Sequence, residues 1–203
     1  MKIDRLIKRW IVVFAMVACA LCLTACSSQE SGAESLQLLV GSTYVPEETL
    51  DACTEEVLAA HPSWEEGEYP VEISSMDFGS PETDIYAGAN IAKFSAMVAA
   101  KEVDLMICDT ENAARFARSE MFVPVEEILT EEELNQYGER LLTFPMVDEE
   151  GNPTGEETPA YGVAVDGGPW DPIYGDQEYG VFLISNAEPM DKASEMFLEI
   201  AAG

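Results

Sequence analysis

Apolar positions divide the chain into an unbroken N-terminal run, Trp10–Leu23, and a body in which short apolar runs alternate with helical stripes. Leu36–Ser42 (LQLLVGS) reads as a buried strand. Behind Pro46 and ahead of Pro62, residues Leu50, Cys53, Val57 and Ala60 recur at helical spacing, which predicts a helix with one apolar stripe and Pro46 at its first position. Ser63–Glu68 reads as a polar loop around Trp64, and Tyr69–Ser75 as a second strand. Ser80-Pro81 predicts a helix start capped by Ser80, with Ile91, Phe94, Met97 and Val98 on the buried side. Val103–Cys108 (VDLMIC) reads as a third strand, Thr110 as the cap of a helix to about Ser119, and Thr130–Glu133 as a capping box.

Beyond Phe144 the rhythm shortens. Pro145–Val147 and Tyr161–Val165 flank an acidic Gly/Pro/Asn-rich stretch, Asp148–Pro159, and read as two strands joined by a hairpin or a longer loop. Gly167–Asp176 reads as an irregular loop, Tyr179–Ser185 as a strand, and Pro189–Ala202 as a closing helix that buries Ala193, Met196, Phe197 and Ile200. The alternation predicts an α/β fold: a doubly wound, mainly parallel sheet with helices on both faces.

The 203 residues are 47% hydrophobic, which suffices for a core, and carry 39 acidic against 10 basic side chains, a net charge of −29. Such a field repels nucleic acid and anionic headgroups, so DNA and RNA are excluded as partners. The charge is polarised: Lys2, Arg5, Lys8 and Arg9 face Asp4 alone within the first 25 residues, and the acidic excess lies beyond them. A basic start and an apolar run too short to span a bilayer comfortably read as a signal peptide. The expected organisation is therefore a signal over 1–25, a flexible tether over 26–35 (Ser27–Ser35 is SSQESGAES), and a single α/β domain over 36–203.

Candidate chemistry is sparse. His61, the only histidine, reads as a helix C-terminal cap. Cys53 and Cys108 fall on core-facing positions and read as small buried hydrophobes rather than as a disulfide. There is no CxxC pair, zinc spacing, GxSxG, P-loop or GxGxxG. The acidic runs read as solvated faces, and Asp148–Asn152 lacks EF-hand spacing. No catalytic residue, metal site or cofactor is expected.

Leu23-Thr24-Ala25-Cys26 resembles the lipobox of bacterial lipoproteins. That resemblance implies cleavage before Cys26, lipidation of its thiol, and a chain anchored on the extracytoplasmic face of the cell membrane. Ala92–Leu129 is similar to the first lobe of type 2 extracytoplasmic (periplasmic) solute-binding proteins of ABC importers. The parts that carry the likeness are the strand Asp104–Asp109, the helix Glu111–Ser119 and Val123-Pro124-Val125. Gly180–Ser185 and Asn186–Ile200 resemble the family's later strand and Phe-containing helix. Lys101-Glu102-Val103 replaces the family's Gly-x-Pro, and only residues 146–177 stand where a second lobe is expected, so the resemblance implies one lobe alone.

The resemblance implies a non-catalytic, lipid-anchored, solute-binding-like protein, associated with an ABC importer. The alternative is an envelope interaction or scaffold lipoprotein that keeps the fold without transport. Its expected partners are a small polar or cationic solute, and an ABC permease or envelope protein. Ligands of open α/β sheets settle beyond the carboxyl ends of strands, where strand order reverses. If the first and third strands flank that point, Ser42, Thr43, Tyr44, Asp109, Glu111 and Asn112 line it. Trp170, with Tyr174, either forms an apolar face over the cleft or plugs the surface left by the missing lobe.

Overall fold

The computed structural model describes residues 35–79, 85–148 and 150–202. Its first half contains β1 (Leu36–Ser42), α1 (Glu47–Ala60), α2 (Ser63–Glu66), β2 (Val71–Asp77), α3 (Ala87–Ala99), β3 (Leu105–Asp109) and α4 (Thr110–Ala117). The second half contains α5 (Glu131–Tyr137), β4 (Leu141–Leu142), β5 (Pro145–Val147), β6 (Pro153–Glu157), β7 (Gly162–Val165), α6 (Asp171–Tyr174), β8 (Tyr179–Leu183) and α7 (Met190–Ala202). Cys26 and Ser80 lie outside the described residues.

Six strands form one sheet in the order β2-β1-β3-β8-β7-β4, and β5 and β6 form a separate hairpin. β1 runs parallel to both β2 and β3, whereas β8 is antiparallel to β3 and β7, and β4 is antiparallel to β7. The sheet is thus mixed, which corrects the expectation of a mainly parallel one. The cause lies in the connections. A parallel return usually carries a full helix across the face of the sheet. Helices α1 and α3 supply that between the first three strands, but β7 and β8 are joined through the four-residue α6 and pair as antiparallel neighbours. The acidic stretch also differs from expectation. β5 pairs with β6 inside that stretch, while β7 joins the main sheet instead of pairing with β5.

Helices cover both faces, as the alternation predicts. On one face Leu38, Val40, Leu105, Ile107, Val181 and Leu183 pack with Cys53 and Val57 of α1, Trp64 of α2, and Met196 and Phe197 of α7. On the other, Leu39, Met106 and Phe182 pack with Phe94 and Val98 of α3 and Phe116 of α4. A row of rings fills this second face, with Phe94 and Phe116 centroids 4.5 Å apart and Phe78 and Phe116 centroids 4.9 Å apart. β3 and β8 are buried along their whole length, which explains their unbroken apolar sequences. Cys53 and Cys108 are free thiols in the two opposite clusters, as their core-facing pattern suggests.

Local signals account for most helix ends. Thr130 and Glu133 form the predicted capping box. Pro46 sits one position earlier than expected, at the N-cap of α1, and Ala60 at its far end is exposed rather than part of the stripe. Asp109, not Thr110, caps α4, because its carboxylate accepts from the Asn112 main-chain N–H. Buried Asp104 ties the starts of β1 and β3 to the turn that leads into α7: its two carboxylate oxygens accept from Gln37 N at 2.8 Å and Glu188 N at 2.9 Å. Burial raises its pKa, and those two N–H groups oppose the rise. Among the described residues no helix is long and apolar enough to cross a membrane.

Candidate functional site

The connection from β1 leads through α1, on one face, to β2 at the sheet edge. From β2 the chain crosses by α3, on the opposite face, to β3 on the other side of β1. Strand order therefore reverses between β1 and β3, the geometry in which the carboxyl ends of two adjacent strands open a crevice. The strands are in register at Gly41 and Cys108, so Ser42 and Asp109 follow side by side. Gly41 is required here by close approach. A Cβ at that position would meet the Phe78 ring at 2.3 Å and the Met106 methyl at 3.0 Å.

The loops beyond these strands are fastened by main-chain bonds. The carbonyls of Ser42 and Thr43 accept from Phe78 N at 2.7 Å and Gly79 N at 3.1 Å, and Asp77 Oδ1 accepts from Val45 N at 2.7 Å. Asn90 Nδ2 donates to the Asp77 carbonyl at 2.7 Å, which brings the start of α3 to the same edge of the sheet.

The six residues expected at this edge divide by burial. Asp109 and Asn112 are buried and bonded to each other: Asp109 Oδ1 accepts from Asn112 N at 2.9 Å and Oδ2 from Asn112 Nδ2 at 3.0 Å. Arg115 Nη1 donates to Asn112 Oδ1 at 3.3 Å, so the chain of bonds closes inside α4. Ser42 is only 2% exposed, and its hydroxyl has no hydrogen-bond partner among the described residues. Thr43, Tyr44 and Glu111 are exposed, Tyr44 to 65%. The sequence pattern does not point to Ile85 and Tyr86, which are exposed to 86% and 66% just before α3. No periodicity distinguishes them, because they precede the helix whose stripe carries the signal.

Trp170 and Tyr174 are both buried in the cluster on the α1 side of the sheet. The Tyr174 hydroxyl enters the groove between β1 and β3, 3.1 Å from Gly41 O and 2.9 Å from Ile107 O. Its ring stacks on Tyr179 with centroids 4.3 Å apart, and Tyr179 donates to Asp171 Oδ1 at 2.6 Å. Burial above all, with the Asp109 carboxylate adding to it, pushes the Tyr174 phenol well above its ordinary range, so it stays a neutral donor.

Both thiols are held as thiols. Burial and then Asp109 raise Cys108, and burial and then Glu56 raise Cys53, the opposite of what a nucleophile needs. His61 stands at the C-cap position of α1, where its imidazole stacks on Trp64. Among the described residues no group of three or more His, Cys, Asp or Glu side chains converges in a metal-ligating arrangement. No family model, curated protein or solved structure matches the chain.

Proposed function

We propose that this chain is a lipid-anchored, extracytoplasmic binding protein without chemistry of its own, built on the plan of one lobe of a type 2 solute-binding protein and derived from an ABC-importer receptor. The observation that carries this reading is the reversal of strand order between β1 and β3, which gathers Ser42–Tyr44 and Asp109–Asn112 at one edge. The Ser42 hydroxyl, which has no hydrogen-bond partner among the described residues, and the exposed Tyr44 ring supply a hydrogen-bonding group and a stacking surface for a small polar solute. The basic, apolar and Cys26-terminated start of the sequence supports export and anchoring. Two acyl chains or more hold a protein stably where one is marginal.

Two-lobed receptors bury their solute by closing a hinge. One lobe offers a single wall, so the affinity of this chain for a small solute is weak. The exposed trio Tyr44, Ile85 and Tyr86 favours a second reading, in which the same edge docks an envelope protein and transport has been lost. A thermal-shift panel of polar and cationic solutes, with divalent metals included, separates the two. The full chain in detergent is compared with the Ser42→Ala and Tyr44→Ala variants. Stabilisation by a solute that both variants lose supports the receptor-like reading. No response to any solute, together with an envelope protein whose co-purification depends on Tyr44, transfers the assignment to the docking reading.

A further inference from the structure

β2 stands at one end of the sheet and pairs on one side only, with β1, in a continuous parallel register from Leu36 opposite Val71 to Ser42 opposite Asp77. At the two ends of that ladder Leu36 N donates to Pro70 O at 2.8 Å and Phe78 N donates to Ser42 O at 2.7 Å. Main-chain groups alternate in direction along a strand. Glu72, Ser74 and Met76 therefore face β1, and Val71, Ile73 and Ser75 turn their N–H and C=O groups outward. Among the described residues nothing bonds to those outward groups. Asn90 closes only the far end, where its Nδ2 donates to the Asp77 carbonyl at 2.7 Å.

Proteins blunt free edges with proline, lysine, a bulge or a very short strand. The opposite end of the sheet follows that rule, because β4 has two residues. β2 has seven, with no Pro, Lys or register shift among them. Its two faces also differ. Val71 and Ile73 are partly buried against the cluster on the α1 side, while Glu72 and Ser74 are exposed on the other face.

We propose that this edge takes an extended basic segment of a partner polypeptide as a further strand of the sheet. Main-chain bonds to Val71, Ile73 and Ser75 supply the attachment, and alternate side chains supply the selectivity. Apolar residues of the incoming strand complete the cover over Val71 and Ile73, and basic ones fall on the face of Glu72. The net charge of −29 attracts a basic segment and repels a second copy of this chain. The proposal concerns a surface apart from the β1–β3 edge and holds whichever reading of that edge is right.

The probe is a peptide of alternating lysine and valine matched to β2 in length, with its backbone N-methylated counterpart as the control of equal charge. The full chain in detergent is titrated at constant ionic strength and followed by amide NMR and hydrogen exchange. The expected result is a saturable shift and slowed exchange at Val71, Ile73 and Ser75, with no such change from the N-methylated peptide. Ser75→Pro removes an outward N–H and no bond to β1, and weakens binding by roughly tenfold or more. Ser75→Lys, at an exposed side chain, weakens it as well. Shifts without that alternation, an equal response to the N-methylated peptide, or undiminished binding by both folded variants overturns the proposal. A dimer of the chain alone that Ser75→Pro dissolves also overturns it, and gives the edge to a second copy.

Discussion

The hydroxyl of Tyr174 lies 2.9 Å from the main-chain carbonyl of Ile107, 67 residues earlier in the chain. With Gly41 O at 3.1 Å, it bridges β1 and β3 where strand order reverses. Removing only the hydroxyl, by Tyr174→Phe, leaves the ring packed on Tyr179 and strips a donor from two buried carbonyls. The expected cost is about 1–3 kcal/mol in chemical denaturation. Tyr174→Ala also empties the groove and costs more, roughly 3–5 kcal/mol.

Gly41 tests how tightly β1 is pinned against the ring of Phe78. Gly41→Ala places a methyl 2.3 Å from that ring, a contact that requires the aromatic cluster to shift. A loss of about 1–3 kcal/mol is expected, measured by denaturant titration with an unchanged m-value. Because the cluster includes Phe94 and Phe116, the loss falls on the face covered by α3 and α4.

Asp104 gives a pH signature of definite sign. Burial raises its pKa, so the folded chain holds that proton more tightly than the unfolded chain does. The contribution is fully present below the unfolded pKa and declines as pH rises through the window up to the raised folded value. Asp104→Asn removes this titration and turns a donor towards one of the two N–H groups, at a cost of about 1–3 kcal/mol. The stability gap between wild type and variant is expected to narrow as pH rises through that window, as stability curves across acidic to neutral pH will show.

Cys26 decides the anchor. Cys26→Ala is expected to leave the chain unlipidated and to move it from the membrane fraction to the soluble or uncleaved precursor fraction. Intact-mass analysis of membrane-extracted wild type should show the added acyl mass at Cys26, and an unmodified cysteine there rules out the lipoprotein assignment.

Much of the fold is legible in the sequence because burial on both sides leaves unbroken apolar runs. Leu36–Ser42 is a strand as read, and the capping box starts α5 where Thr130 and Glu133 place it. The elements that resist reading lack that contrast. β6 is exposed at every position, so its PTGEE sequence carries no alternation. Strand direction is not encoded in apolar content at all. It depends on whether a helix long enough to cross the sheet intervenes, and the short DPIY helix of α6 is signalled only by Asp171-Pro172 at its start.

Placement in the candidate site is legible because Ser42 and Asp109 end two apolar runs. Which of its groups are spent is not. Asp109 and Asn112 satisfy each other through an N-cap contact that the sequence assigns to Thr110, whereas the unpaired Ser42 hydroxyl depends on tertiary surroundings that no local pattern records.

Whether the chain binds solute at the edge where β1 and β3 end is decided by titrating the full chain with a stabilising solute from the panel. Backbone amide shifts are mapped residue by residue. The predicted result is weak, saturable change centred on residues 42–44 and 109–112, abolished by Ser42→Ala combined with Tyr44→Ala. Shifts confined to other parts of the chain, or submicromolar binding by a monomer, would contradict it.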